Sequence, residues 1–316
     1  MKKKHNPAIV AAAAVFSIVL LAGCRELPGK ESAGNQLEQR ISGSFSEEAA
    51  AAVKQGISNA TVAVGDVVQN TTDKLQDKLN AHGISREFST SLPVSSASVL
   101  KLDNPLGEVT VTPASGDEIE VEATVIVYEP KDHESVSGIL DHAEISIEHK
   151  GDALIVSSHG QANRKKSLWE WAQHEYGTSN LSINYVIGLP HSVDRFEINN
   201  NVGNVQLRGL EGAYEINNNV GSIILQDAVF TGKSKVESNT GSIELGISGM
   251  DSGSSLKAKS DIGRISADLA GSLPCTVEAS SELGHISGNG DGKTRDFNGG
   301  GPLITLSTQI GAISVQ

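Results

Sequence analysis

The sequence predicts a mainly β protein, a β-solenoid of stacked short strands preceded by an N-terminal helical segment. Three observations predict it: a glycine-centred phrase that repeats, strict apolar alternation around each glycine, and a helical period confined to residues 34–83. The phrase reads Phe196-Glu197-Ile198-Asn199-Asn200-Asn201-Val202-Gly203-Asn204-Val205-Gln206-Leu207 in its first clear copy. Its glycines recur at Gly203, Gly221, Gly241, Gly263, Gly284 and Gly311, with steps of 18, 20, 22, 21 and 27 residues. A period near 20 with variable connectors marks units that cannot bury an apolar face alone and must stack.

Aligning the copies on their glycines gives columns. Five residues before the glycine stand Ile198, Ile216, Val236, Ala258, Ala279 and Leu306, and seven before it Phe196, Tyr214, Ser234, Leu256, Val277 and Ile304. Two after it stand Val205, Ile223, Ile243, Ile265, Ile286 and Ile313. Period-2 alternation rich in β-branched residues means strands with one face in and one out. Three before the glycine the column is Asn200, Asn218, Ser238, Ser260, Ser281 and Thr308; two before it, Asn201, Asn219, Asn239, Asp261, Glu282 and Gln309. Small polar side chains favour turns and glycine permits positive φ or close backbone approach, so a polar corner is expected there, with Asn and Ser ladders running up one edge. Those ladders read as turn chemistry; the other reading, a flat binding surface, has nothing in the sequence to select it. The charged column Glu197, Glu215, Lys235, Lys257 and Glu278 reads as a solvated outer face.

The chain opens Met1-Lys2-Lys3-Lys4, continues with an apolar run over Ala8–Leu21, and reaches Leu21-Ala22-Gly23-Cys24. A basic start, a short apolar core and small residues describe a secretory signal over residues 1–23, too short for a membrane span. The Leu-Ala-Gly-Cys ending resembles a bacterial lipobox, which implies cleavage before Cys24 and lipid attached to its thiol. The expected setting is extracytoplasmic, with the membrane as partner through that lipid. Cleavage removes three lysines and no acid, deepening a net charge of −13. Such acidity argues against nucleic acid or anionic headgroups as partners. With Cys24 lipidated, Cys275 is left without an intrachain partner and reads as a packed core thiol.

Residues 24–33 form a polar tether. Over residues 34–83, Ile41, Phe45, Val53, Ile57, Val64, Val68, Leu75 and Leu79 recur near a 3.6 period, giving a helical stalk or a helix laid against the β domain. Gly43, Gly56 and Gly65 count against one unbroken helix. Ser-rich residues 84–96 are expected to be a linker, and residues 97–316 the β domain. A seventh copy of the phrase opens that domain, Leu100-Lys101-Leu102-Asp103-Asn104-Pro105-Leu106-Gly107-Glu108-Val109-Thr110-Val111. Residues 118–128, 143–149 and 153–157 alternate as strands, His133–His142 forms a short helix, and Gly151-Asp152 turns a hairpin.

This layout resembles the bacterial putative-adhesin family, a β-strand-repeat domain of largely unassigned function. The resemblance covers roughly residues 97–316. It rests on the phrase from Asn104 to Val111, the hairpin at Gly151-Asp152, the segment Ile187-Gly188-Leu189-Pro190 and the repeated Gly-x-Ile-x-Leu. It implies an envelope or surface protein and brings no catalytic residues. The family often places an acid after the glycine; here that slot holds Asn204, Ser222, Ser242, Arg264, His285 and Ala312, and Gly107-Glu108 alone keeps it. No acidic ligand set follows.

Residues 160–182 interrupt the strand rhythm and hold both tryptophans. Ser167-Leu168-Trp169-Glu170 fits a capping box and Gly177 a helix stop. Trp169 and Trp171, with the basic run Arg164, Lys165 and Lys166, make a candidate binding loop for an envelope protein, peptide or glycan. The competing reading is that both rings cap the strand stack. No cofactor is expected: the histidines lack metal-ligand spacing, and Gly288-Asn289-Gly290-Asp291-Gly292, which resembles a calcium turn, occurs once. Glycan-cleaving chemistry needs clustered carboxylates, and serine or cysteine triads need an elbow or signature; the outward columns offer neither, so no enzyme is expected. The function expected is non-catalytic adhesion or scaffolding at the cell envelope. The alternative is an envelope-stress or ligand sensor acting through residues 160–182. The last strand, which contains Ile313 and Val315, is expected to leave an open edge for self-association.

Overall fold

The computed structural model describes residues 83–95, 98–128, 133–288 and 293–316. The signal, Cys24, the tether and nearly all of the helical segment lie outside the described residues. In chain order the strands are β1 (Ile84–Pro93), β2 (Val99–Leu106), β3 (Val109–Pro113), β4 (Glu118–Val127), β5 (Ala143–Lys150), β6 (Ala153–Gly160) and β7 (Leu181–Leu189). There follow β8 (Arg195–Val202), β9 (Val205–Arg208), β10 (Glu211–Val220), β11 (Ile223–Phe230), β12 (Lys233–Thr240), β13 (Ile243–Met250) and β14 (Ser255–Ile262). The last are β15 (Ile265–Leu269), β16 (Cys275–Leu283), β17 (Ile286–Ser287), β18 (Thr294–Phe297), β19 (Leu303–Ile310) and β20 (Ile313–Val315). Two helices, α1 (His133–His142) and α2 (Leu168–Tyr176), interrupt them. The protein is mainly β, as the alternation predicted.

Each copy of the phrase supplies one strand to each of two parallel ladders. The front ladder runs β6, β2, β8, β10, β12, β14, β19, β16. The back ladder runs β7, β3, β9, β11, β13, β15, β20, β17. They join where Glu211 and Gly212 of β10 pair with Val229 and Phe230 of β11, so all twenty strands form one connected sheet. Register follows the sequence columns: Ile198 lies beside Ile216, Ile216 beside Val236, and Val236 beside Ala258. These columns, with Phe196, Tyr214, Leu256 and Ile304 and the back ladder's Val205, Ile223, Ile243, Ile265 and Ile313, fill one continuous core. The rings of Phe196, Tyr214 and Phe230 stack at 5.0 and 4.9 Å between centroids. Burial pushes the Tyr214 hydroxyl well above its ordinary pKa, with Glu211 adding to the shift.

The corner explains the polar-x-x-glycine spacing. Backbone pairing continues through it: Gly203 N donates to Val220 O, and Val205 N to Ser222 O. At four corners the glycine carbonyl is met instead by a side chain three residues before the glycine of the adjacent rung. Asn218 Nδ2 donates to Gly203 O at 2.9 Å, Ser260 Oγ to Gly241 O at 3.1 Å, Thr308 Oγ1 to Gly263 O at 3.2 Å and Ser281 Oγ to Gly311 O at 2.9 Å. A β-carbon on Gly221 would collide with the same Gly203 carbonyl, one on Gly263 with that of Gly241, and one on Gly311 with that of Gly263. Gly203 and Gly221 also hold φ of 130° and 125°. Polar residue and glycine therefore grip one carbonyl between them, which no side chain larger than hydrogen at the glycine would permit. The sequence placed these polar residues in a turn on an edge. They sit instead at the inner end of each front strand, and Asn104, Asn200, Asn218, Ser238, Ser260 and Thr308 are all buried.

Two further expectations, the linker over residues 84–96 and the open final edge, are corrected. Residues 84–96 are not simply a linker: β1 pairs antiparallel with β4 from Ile84 opposite Val127 to Pro93 opposite Glu118. Phe88, Thr90 and Leu92 turn inward in alternation, and the hydroxyl-bearing residues between them hid that period in the sequence. The stacking order also departs from the chain order at both ends. The early copy, β2 and β3, lies inside the rung made by β6 and β7. The last copy, β19 and β20, lies between the rungs of β14–β15 and β16–β17. The final strand is therefore no open edge: Gln316 N donates to Ala267 O, and Leu269 N donates to Gln316 O. Each inserted strand gains a ladder on both sides, where an edge position would supply one.

Candidate interaction surface

With the columns seven, five and three before each glycine turned inward, those six, four and two before it form the outer face of the front ladder. Its central rows are Glu197, Asn199 and Asn201; Glu215, Asn217 and Asn219; and Lys235, Glu237 and Asn239. In-register pairing sets equivalent side chains one strand spacing apart, about 4.8 Å, near enough for amides to bond along the stack. Asn219 Nδ2 donates to Asn201 Oδ1 at 2.9 Å and Asn239 Nδ2 to Asn219 Oδ1 at 3.0 Å. A second line runs beside it: Asn217 Nδ2 to Asn199 Oδ1 at 3.0 Å, and Asn199 Nδ2 to Asp103 Oδ1 at 2.7 Å. Gln309 Nε2 donates to Asp261 Oδ1 at 3.1 Å farther along. An amide with one donor and one acceptor engaged keeps a second N–H and a second lone pair for a partner. Three lysines of this face pair with acids on it: Lys101 with Glu197 at 2.5 Å, Lys235 with Glu237 at 2.8 Å and Lys259 with Asp261 at 2.7 Å. The Glu197 carboxylate raises the Lys101 pKa, and Asp261 that of Lys259. What results is a polar face with three ion pairs and repeating amides. Asn199 and Asn217, four before their glycines, were the column the sequence reading left out, although it lies between the columns five and three before the glycine.

The candidate loop at residues 160–182 is built as its caps predicted and is placed otherwise than an aromatic grip requires. Ser167 caps α2, its Oγ accepting from Glu170 N while the Glu170 side chain accepts from Ser167 N, and Gly177 closes the helix at φ 68°. Trp171 is buried: its ring lies against Gly160, where a β-carbon would collide with it, and meets Tyr176 edge-on at 5.5 Å. Trp169 is half-buried, and its Nε1 donates to Leu181 O at 2.9 Å. The two rings share no open face because helix α2 lies over β6 and uses one of them as its anchor. Arg164 and Lys165 are exposed, Lys166 is half-buried, and Arg164 pairs with Glu144.

Elsewhere, a groove of ≈ 520 Å³ lies against the connections before β8, β10 and β12, lined by His191, Asp194, Glu211, Asp227 and Asp251 among others. Among the described residues no three His, Cys, Asp or Glu side chains are placed to hold a metal ion. Ser146 Oγ lies 2.9 Å from His159 Nε2 and 3.1 Å from Ser157 Oγ, a buried polar tie between β5 and β6 that the sequence reading missed. Cys275 is fully buried, and burial pushes its thiol pKa up. No described helix is long and apolar enough to cross a membrane.

No family model and no curated protein matches the chain. Solved structures that it resembles include a putative cell adhesion protein from Clostridium sporogenes, 13% identical over 73% of this chain and 99% of that one, with a TM-score of 0.37. A putative adhesin from Bacteroides fragilis is 14% identical over 73% of this chain and 97% of that one, with a TM-score of 0.38. A putative lipid binding protein from Parabacteroides distasonis is 13% identical over 74% and 98%, with a TM-score of 0.29.

Proposed function

We propose that this protein is a lipid-anchored, extracytoplasmic, non-catalytic surface protein whose repeats form a β-solenoid and whose work is adhesion or scaffolding at the cell envelope. Cys24 is its anchor. The observation that carries the adhesive reading is the outer face of the front ladder, where Asn199 and Asn217, and Asn201, Asn219 and Asn239, stand in two hydrogen-bonded lines. A rigid face with donors and acceptors repeated at one spacing suits a partner that is itself extended and periodic, such as a glycan chain or a strand-rich envelope protein. The solenoid reading rests on the alternation of each copy between the two ladders.

The test is binding of isolated envelopes to the immobilised chain from Arg25 onward. Asn217→Arg with Asn219→Arg is expected to abolish binding, while Trp169→Ala leaves it unchanged. The reverse pattern would transfer the function to the loop at residues 160–182 and make the protein a ligand sensor.

A further inference from the structure

The last copy of the repeat fills a slot that its own chain opens. Had the stack kept sequence order, β16 would pair with β14, as β14 pairs with β12. Instead β16 stands one rung farther out, and β19 pairs with β14 on one side and β16 on the other over the whole of Leu303–Ile310. In the same way β20 separates β15 from β17. The slot is thus two parallel edges in register, lined by the columns that the inserted strand matches: Ile304 between Leu256 and Val277, Leu306 between Ala258 and Ala279.

The inserted segment hangs on a glycine hinge. Asn298, Gly299 and Gly300 hold successive φ values of 49°, 92° and 77°, and Gly301 and Pro302 follow. Asn298 is tied to the turn before β16, its Nδ2 donating to Leu273 O at 2.8 Å and Gly271 O at 3.2 Å. The fixed body therefore ends at Asn298, and the strand that enters the slot begins five residues later, at Leu303.

We propose that this segment, Leu303–Gln316, is exchanged between copies: one chain's β19 and β20 enter the slot of a second copy, whose own segment enters the first or a third. Every hydrogen bond and apolar contact in the exchanged form is one the single chain already makes, so only the path through residues 299–301 changes. A strand that completes another subunit's sheet from both sides is held by two ladders, where edge addition supplies one. The occupant is a second copy of this chain because the columns that line the slot are those its own segment fits.

The experiment uses two differently tagged full-length chains, both carrying Cys24→Ser, co-expressed and treated with a short bismaleimide. One carries Lys257→Cys and the other Thr305→Cys, register neighbours on the outer face of β14 and β19. A control pair carries Lys235→Cys and Lys257→Cys, register neighbours that both lie in the fixed body. Exchange gives a covalent heterodimer in the first pair and none in the control. Absence of that heterodimer, while a single chain bearing both Lys257→Cys and Thr305→Cys closes internally, overturns the proposal. So does heterodimer of equal yield in both pairs, which would report collision alone.

Discussion

The two ends of the stack solve one problem with different chemistry. At the end nearest β6 and β7, the last parallel strands are covered by antiparallel ones, β5 on β6, β4 on β7 and β1 on β4. Helices α1 and α2 close over them with Ile139, Leu140, Leu168 and Trp171 buried. At the other end β18 covers β16 only from Cys275 to Glu278, β17 is two residues long, and Leu283, Ile286 and Phe297 remain half-buried. Between the ends the rungs are near copies of one another. The repeat thus specifies the middle, and each end is covered by elements the repeat does not contain: antiparallel strands and two helices with bulky apolar side chains at one end, the short antiparallel β18 at the other.

This contrast can be broken most sharply with side-chain truncation. Trp171→Ala should cost about 3–5 kcal/mol, and Phe297→Ala, from the half-buried end, less than about 1.5 kcal/mol, as read by denaturant unfolding. Next come the corner glycines. Gly107→Ala meets both the Ile183 carbonyl and a φ of 133° and should cost about 3 kcal/mol or more. Gly284→Ala meets the Gly311 carbonyl at the outermost rung, which has freedom to move outward, and should cost less; equal losses would show the two ends to be equally rigid. The closed end also holds Tyr185, whose hydroxyl burial raises from 10.0 to about 12, partly offset by its hydrogen bond with Ser158. The folded state then retains a proton that the unfolded state releases, so its stabilisation is complete below pH 10 and lost as pH rises towards 12. That loss is about 2–3 kcal/mol, and Tyr185→Phe should remove this part of the alkaline slope. The smallest effect separates two residues of one column. Ser260→Ala deprives the Gly241 carbonyl of its partner and should cost about 1 kcal/mol, whereas Ser238, whose buried Oγ has no partner among the described residues, should tolerate alanine with almost no change.

Much of the fold was legible because its physics is local. The apolar columns, the hairpin at Gly151, helix α1 from His133 to His142 and the Ser167 capping box each depend on residues a few positions apart. Rung order was not legible. The copies containing Ala258 and Ala279 are adjacent in sequence, and nothing in their side chains says that Leu306 will stand between them. β1 escaped because Ser89 and Ser91 outside and Thr90 inside blur the alternation that Phe88 and Leu92 carry. For the surface, the Asn columns were visible, but which of them faced inward was not. Asn218 and Asn219 are neighbours of similar chemistry; pleating sends one to the Gly203 carbonyl and the other to solvent.

The grip that Asn218 and Gly221 exert on Gly203 is repeated by Ser260 and Gly263 on Gly241, and it involves no residue outside two consecutive rungs. A copy between β8 and β14 therefore makes its corner contacts only with its immediate neighbours. Duplicating one extends the molecule by a single strand spacing, about 4.8 Å, and deleting one shortens it by the same step, with neither terminus disturbed. Gene duplication within the repeat can then adjust the length of the front face in whole steps, while the register of its amide lines is kept.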